Sequence, residues 1–251
     1  MKARVKFNKY GVLRFIGHLD VMRYFQKAMR RAGIDIGYSQ GYNPHQLMSF
    51  ASPLGVGITS DGEYLDIVLN SDIDKEEFID KLNAQMVEGI EILDFIKLND
   101  DAKNSMSKVS AADYAICIKD EYLDDKYLDK EETFKFLFTE FIKQKQILVV
   151  KKTKKSEKEV DIKEFILDYS FKNTLAENTV LPEYNNNYYV WLKLVAGSVN
   201  NLKPELVMEA FCEYCNTEYN KFTFQTHRVE MYAGDTDNLI PLSQVDIREG
   251  K

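Results

Sequence analysis

Residues 18–57 read HLDVMRYFQKAMRRAGIDIGYSQGYNPHQLMSFASPLGVG, and they join a helical pattern to a glycine-rich loop. Apolar residues at three- and four-residue spacing predict an α-helix over 18–32. Gly33 follows directly and is well placed to cap that helix. The next segment, 38–57, carries no charge apart from its histidine and is typical of an ordered loop. The apolar positions of the helix are Leu19, Met22, Phe25, Met29 and Ala32.

Strand patterns surround this helix and predict the order β-α-β-β-α-β for the first half of the chain. The first strand pieces turn at Gly11, and residues 64–69 alternate with the period of a strand. Asp74 and Glu77 resemble a capping box that begins a second helix. The polar stretch 98–108 is interpreted as a linker. The predicted strands are 2–8, 11–16, 34–38, 46–50, 64–69 and 90–98.

The same order repeats after the linker. A helix with a phenylalanine-rich face follows the first strand, and a hairpin with a charged tip follows the helix. Residues 161–168 fit a helix as an alternative, and Pro204 suits the first turn of the last helix. The predicted strands are 113–119, 147–151, 160–167, 188–196 and 222–232, and the helix face holds Phe134, Leu137, Phe138, Phe141 and Ile142.

Two split β-α-β halves predict an α+β fold with two tandem ferredoxin-like domains and antiparallel sheets. The first domain, at 1–99, contains the basic helix and the glycine-rich loop. The second covers 110–235, and a tail covers 236–251. The repeat is architectural, because the two halves share no identity at the level of residues.

The composition limits the class of protein. A chain of 251 residues with 45% apolar content can bury a substantial core in one or two domains. No run of about 18 apolar residues occurs, so we expect no membrane span. The first residues lack the apolar centre of a signal peptide, which predicts a cytoplasmic location. Three cysteines are an odd number and too few for a disulfide scaffold.

The charge is distributed unevenly along the chain. The net charge is −7, but residues 1–55 hold nine Lys and Arg residues against two acids, a balance of +7. The remainder therefore carries −14. Contacts depend on the local electrostatic field more than on the total charge, so the first fifth of the chain is a candidate for binding a polyanion.

The predicted first helix carries four cations on one face. Arg23, Lys27, Arg30 and Arg31 stand at offsets of 0, 4, 7 and 8 residues, roughly opposite the apolar positions. Cations that repeat in this way can follow the phosphates of a nucleic acid, which makes binding salt-dependent. The alternative is a solvated face whose last arginines favour the C-terminal end of the helix. Asp20 is the one nearby acid, and this scarcity of carboxylates favours binding.

The loop 38–57 offers groups that recognise unpaired nucleotides. Eight of the twelve glycines fall between Gly11 and Gly62, and glycine lets the backbone approach a ligand closely. Aromatic side chains such as Tyr38 and Tyr42 can stack on bases. The alternative is an ordered loop between two strands. The predicted nucleic-acid-binding residues are Arg14, Arg23, Lys27, Arg30, Arg31, Tyr38, Ser39, Gln40, Gly41, Tyr42, Asn43, His45 and Ser52.

Two histidines raise a catalytic alternative. His18 begins the basic helix and His45 lies in the loop, and a histidine can act as general acid or base near neutral pH. A metal-independent ribonuclease could combine His18 with Tyr38 or His45, and Arg23 would stabilise the charge that develops on phosphorus. The competing interpretation of His18 is an ordinary hydrogen-bonding residue at a helix start.

Cys212 and Cys215 raise the question of metal or redox chemistry. A structural zinc ion needs four ligands, and Cys117 and His227 are the only obvious additions, without motif spacing. The helical pattern places Cys215 at the edge of the core face and Cys212 outward. No phosphate-binding loop and no dinucleotide fingerprint occurs, so we expect neither a metal nor a cofactor.

Several longer motifs resemble one bacterial family, the radical-SAM-linked proteins, whose defining domain has no assigned function. The resemblance lies in LRFIGHLDVMRYFQKAMRRAGIDIGYSQGYNPHQLMSFASPLGVG and GEYLDIVL, and later in NLKPELVMEAF and THRVEMY. In related proteins this domain follows a radical-SAM iron–sulfur domain. The C-x3-C-x2-C cluster motif does not occur here, so the resemblance implies a stand-alone partner of such an enzyme or a module that presents its substrate.

Three functions follow as hypotheses. The first is an RNA-binding accessory module that works with a radical-SAM enzyme or in RNA maturation, because such enzymes often modify RNA. The second is a metal-independent endoribonuclease that uses His18, since tandem ferredoxin-like halves are similar to CRISPR RNA-processing endoribonucleases. The third is a module that binds only protein. Fold alone does not distinguish between them.

Overall fold

The structure is a computed structural model that describes residues 1–119, 131–152, 157–172 and 189–248. The fold is α+β, with a large, mostly antiparallel sheet. None of the helices in these ranges has both the length and the apolar character of a membrane span. The four α-helices of the described ranges are α1 His18–Arg31, α2 Lys75–Asn83, α3 Glu131–Ile142 and α4 Pro204–Tyr214.

The strands are short to medium in length, and most correspond to a predicted strand. Their bounds are β1 Lys2–Lys9, β2 Met48–Phe50, β3 Thr59–Val68, β4 Ile90–Lys97, β5 Val109–Ile118, β6 Leu148–Lys152, β7 Glu157–Asp161, β8 Ile166–Lys172, β9 Tyr189–Val195, β10 Phe224–Ala233 and β11 Ile240–Pro241.

The chain divides into two compact units. Unit 1 comprises Met1–Ala111 and the segment that begins at His227, and unit 2 comprises most of the chain between them. In unit 1 the strand order is β4-β1-β3, with β2 and β10 also paired to β3. The pairs with β1 and β2 are antiparallel, whereas β10 runs parallel to β3 over two residues. Since β2 pairs with β3, these four strands follow one another in the order β4-β1-β3-β2.

Helices α1 and α2 belong to the apolar core of unit 1. The predicted apolar positions Phe25 and Met29 of α1 are buried, together with Val21, which the spacing did not predict. Predicted Leu19 is instead exposed. Asp74 caps α2 as predicted, because its carboxylate accepts hydrogen bonds from the backbone N–H groups of Glu76 and Glu77. Gly33 has a φ of +65°, the conformation that ends a helix at a glycine.

The segment after β10 packs onto β1 and β4 within unit 1. Leu242 is buried, and its carbonyl accepts a hydrogen bond of 2.6 Å from the guanidinium of Arg4. Lys108 pairs with Asp246, and the backbone N–H of Arg248 donates to the carbonyl of Lys97. Residues 236–248 are therefore bound to the sheet, although the sequence analysis predicts a tail at 236–251.

In unit 2 the strands β5, β9 and β8 are neighbours in that order. The core contains a cluster of aromatic rings, in which Phe138 of α3 and Phe211 of α4 lie 5.0 Å apart between centroids. The predicted phenylalanine face of α3 therefore packs against α4 in the core. The assignment of both units as ferredoxin-like domains, with bounds at 1–99 and 110–235, stays a prediction.

Three predicted segments differ from the structure. Gly11–Phe15 form a 3-10 helix and not a strand, because Gly11 turns the chain with a φ of +57°. Residues 34–38 make only isolated bridges, at Ile36 and Tyr38. The strand predicted at 160–167 is interrupted by a 3-10 turn at Lys163–Phe165, which separates β7 from β8. The tip of the predicted hairpin lies outside the described residues.

Candidate nucleic-acid interface

The four cations of α1 all lie at the surface of unit 1. The Arg23 side chain is 67% exposed and lies 3.4 Å from Asp20. The guanidinium of Arg31 donates to the Gln85 side chain and carbonyl. Lys27 and Arg30 are exposed and form no ion pair with any residue that the structure describes. The face predicted from the spacing is therefore solvent-exposed and only partly neutralised.

The tip of the loop is closed by Ser39 and His45. The hydroxyl of Ser39 lies 2.8 Å from Nδ1 of His45 and accepts a hydrogen bond of 3.0 Å from the backbone N–H of His45. The backbone N–H of Ser39 donates to the carbonyl of His45. These contacts hold residues 40–44 as an exposed tip, and Tyr42 is its fully exposed aromatic residue.

The base of the loop contacts α1 directly. The side-chain amide of Gln46 donates to the carbonyl of Gln26 at 3.3 Å and to the hydroxyl of Tyr38 at 3.4 Å. Gln26 is one helical turn from both Arg23 and Arg30, so this contact lies beside cationic residues of α1. The buried Oε1 of Gln46 has no hydrogen-bond partner within the described ranges. The structure therefore brings the loop beside the basic face.

The remaining predicted residues lie at three places. Tyr38 is about half exposed, and Gln40, Gly41 and Asn43 are exposed in the tip. The guanidinium of Arg14 lies over the Phe15 ring, 4.7 Å from its centroid. Ser52 is half-buried, and its carbonyl accepts a hydrogen bond from Arg228.

His18 lies in a small recess at the N-terminal end of α1. Its ring meets the ring of Phe50 edge-on at 5.1 Å, and the imidazole makes no hydrogen bond with the described part of the chain. The recess is also lined by Lys9, Ser52 and Glu63. His18 therefore does not cap the helix through a side-chain hydrogen bond.

Charged residues that the sequence analysis missed line this recess. Lys9 is only 2% exposed, and its ammonium donates to the carbonyl of Ile16 at 2.9 Å. Glu63 binds the buried guanidinium of Arg228 through both carboxylate oxygens, at 2.8 and 2.6 Å. Burial lowers the pKa of Lys9; the negative charge of Glu63 raises it, and the positive charge of Arg228 lowers it. No local spacing signals this cluster, because its members come from β1, β3 and β10.

A second, larger recess lies at the other histidine. Its volume is about 360 Å³, and its lining includes His45, Ser49, Asp66 and Lys103. Because His18 and His45 line different recesses, the structure does not bring the two predicted catalytic histidines into one site. His45 is instead engaged with Ser39.

Part of the positive charge of residues 1–55 is neutralised inside unit 1. The guanidinium of Arg4 pairs with Asp66 at 2.8 Å, and Lys6 pairs with Glu230 at 2.8 Å. The local balance of +7 therefore overstates the charge at the surface. The exposed excess is concentrated on α1.

The cysteines are free thiols, and one prediction about them is wrong. Cys212 was expected to point outward, but it is 2% exposed, because the buried arc of α4 extends from Val207 to Cys212. Burial raises the pKa of Cys212 and raises that of Cys215 to about 11. Within the described ranges, no three His, Cys, Asp or Glu side chains are grouped to hold a metal ion.

The sequence matches a bacterial protein family over most of its length. The profile of the family described as "Uncharacterized protein conserved in bacteria (DUF2344)" matches residues 2–204. The chain therefore belongs to this family. The match includes α1, the glycine-rich loop and the recess residues Lys9, His18 and Glu63. No curated protein matches the chain.

Proposed function

We propose that this protein is an RNA-binding accessory module, in which α1 contacts phosphates and the loop at 38–57 contacts bases. The observation that supports this most is the position of the loop beside the partly neutralised face of α1, through the bond between Gln46 and Gln26. The exposed ring of Tyr42 suits stacking on an unpaired base. The four cations suit the spaced phosphates of a single strand.

The proposal includes a cytoplasmic setting and a radical-SAM enzyme or another RNA-maturation factor as the partner. Its support is the resemblance of residues 13–57 to radical-SAM-linked proteins. It also includes a tandem ferredoxin-like architecture, for which the order β4-β1-β3-β2 in unit 1 and the neighbours β5-β9-β8 in unit 2 are the support.

A protein-binding role is the second candidate. Four large apolar side chains are more than half exposed near the start of α1: Val12, Phe15, Leu19 and Val56. The backbone bond from Gly57 to the carbonyl of Arg14 brings the loop end beside the 3-10 helix. Exposed apolar residues that cluster are typical of protein interfaces. The endoribonuclease alternative has less support in the form that combines both histidines, because His18 and His45 line separate recesses. The form that combines His18 with Tyr38 stays a prediction.

RNA affinity measured against salt concentration tests the first candidate. We expect the fourfold charge reversal R23E/K27E/R30E/R31E to weaken binding of an unstructured RNA of about 20 nucleotides. The slope of log K against log salt should fall by about 0.7 for each phosphate contact that is lost. The matched control reverses four exposed lysines of unit 2, K145E/K158E/K203E/K221E, and has the same net charge.

Two results would contradict the proposal. Equal loss of affinity in both variants would mean that only the total charge matters. Unchanged affinity in the α1 variant would remove α1 from the interface, and capture of a protein partner after nuclease treatment would then favour the second candidate. Turnover of RNA in the presence of a chelator that is lost in His18→Ala would favour the endoribonuclease.

A further inference from the structure

The ammonium group of Lys9 is buried without a counter-ion. Lys9 is 2% exposed, and no carboxylate in the described part of the chain lies within ion-pair distance of its ammonium. One of its three N–H groups donates to the carbonyl of Ile16. Buried charges in proteins are normally paired, because transfer of an ion from water is costly. The two remaining donors of Lys9 therefore need an acceptor.

The surrounding charges make the recess positive. Glu63 also lines it, but both oxygens of its carboxylate bind Arg228. The three buried groups, Lys9, Glu63 and Arg228, carry one negative and two positive charges when the lysine is protonated. An anion is the species that balances this cluster, since opposite charges attract strongly where water is excluded.

The first turn of α1 adds donors at the same place. Gly17 is the N-cap residue and has no side chain to cap the helix. The backbone N–H groups of His18 and Leu19 have no acceptor among the residues that the structure describes. Such groups, together with the helix dipole, favour a negative charge. His18, which is half-exposed, also lines the recess.

The size of the recess limits the ligand. The enclosed volume is about 10 Å³, which is room for one oxygen-sized group and not for a nucleotide. A ligand that fits therefore inserts one oxygen and leaves its remainder at the mouth. Phosphate monoesters and inorganic phosphate have this shape and charge.

We propose that the recess at the N-terminal end of α1 binds one small oxyanion of the phosphate class. One oxygen accepts hydrogen bonds from Lys9, and the other oxygens face His18 and the first backbone N–H groups of α1. The site does not depend on the four exposed cations of α1, so it goes beyond the proposed RNA binding.

Titration with inorganic phosphate, followed by calorimetry, tests the site. We expect Lys9→Met to lower phosphate affinity by about 10- to 100-fold, because a charge-assisted hydrogen bond to a buried group is lost. Lys75→Met is the control: Lys75 is an exposed lysine of unit 1 that pairs with Asp94, and this variant should bind phosphate as wild type does. Equal affinity of wild type and Lys9→Met would overturn the proposal, and the recess would then hold only water.

A second measurement uses the wild-type chain and does not depend on the folding of a variant. The His18 ring resonance, assigned with His18→Gln, should shift as phosphate is added, and the resonance of buried His227 should shift less. A His18 resonance that stays in place up to saturating phosphate would equally overturn the proposal.

The source of the phosphate is tested with oligonucleotides. A 5′-phosphorylated RNA that binds more tightly than its 5′-hydroxyl form, and loses this advantage in Lys9→Met, identifies a chain end as the ligand. Equal binding of the two forms, with phosphate still bound, identifies a free oxyanion; both outcomes support the site. The R23E/K27E/R30E/R31E variant should keep phosphate binding, so failure of the RNA proposal is distinguishable from failure of this one.

Discussion

At the scale of single residues, burial determines which side chains are chemically available. Cys212 and Cys215 are spaced as a reactive pair would be, but burial raises the pKa of both thiols. A thiolate is the form that attacks electrophiles and binds metals. The pair is therefore protonated near neutral pH, and its spacing reflects the packing of α4.

This protonation predicts slow alkylation of Cys215. In the wild-type chain, with modification of Cys215 followed by mass spectrometry of its peptide, we expect iodoacetamide at pH 7.5 to modify native Cys215 about tenfold more slowly than in the urea-unfolded chain. A pKa of about 11 lowers the fraction of thiolate about 100-fold relative to an ordinary thiol. The greater intrinsic nucleophilicity of a thiolate with a high pKa offsets part of this loss of rate. Equal rates in the native and unfolded chains would contradict the prediction.

At the scale of elements, the contact between β3 and β10 depends on a glycine. A Cβ atom at Gly62 would lie 2.6 Å from Cα of Glu230 and 2.7 Å from the carbonyl oxygen of Val229. These are backbone atoms, so they move only if the strand moves. The ion pair between Glu63 and Arg228 depends on the same approach of the two strands.

We therefore expect Gly62→Ala to lower the free energy of unfolding by about 1–3 kcal/mol, as overpacking of a close contact does. Gly17→Ala is the control, since Gly17 has a φ of −76° and no heavy atom within 4 Å of an added Cβ. Urea denaturation measures both variants. A loss in Gly62→Ala no larger than that in Gly17→Ala would show that β10 adjusts freely.

At the scale of the whole molecule, unit 1 is built from both ends of the chain. Arg4 is fully buried, and it donates to the carbonyls of Leu242 and Val245 as well as to Asp66. The segment after β10 therefore completes the hydrogen bonding of a charged group in β1. Without it, a buried guanidinium would keep only part of its acceptors.

Removal of residues 236–251 should consequently destabilise the protein by at least about 3 kcal/mol, since acceptors of a buried charge and the buried Leu242 are lost together. A chain that ends at Arg248 is the control, because it keeps every contact named here. Denaturation midpoints in urea give the comparison. Coincident midpoints for the full chain and the chain without residues 236–251 would contradict the expectation.

The sequence predicts local features of this molecule better than distant ones. The ends of α1 and α2 follow from Gly33 and Asp74, whose effects extend over one turn. The exposure of the α1 cations likewise follows from helical spacing. The cluster of Lys9, Glu63 and Arg228 could not be predicted, because strand pairing brings together residues that no sequence pattern connects. The buried pairing of Arg4 was missed for the same reason.

The composition of unit 1 has a consequence for synthesis on the ribosome. Arg228 is translated after the whole of unit 2, so Glu63 has no guanidinium partner while the nascent chain is being extended. The negative charge of Glu63 beside the recess is therefore not compensated by Arg228 until unit 2 has been synthesised. A chain that terminates before Arg228 has every residue that lines the recess, but its Glu63 lacks the guanidinium partner.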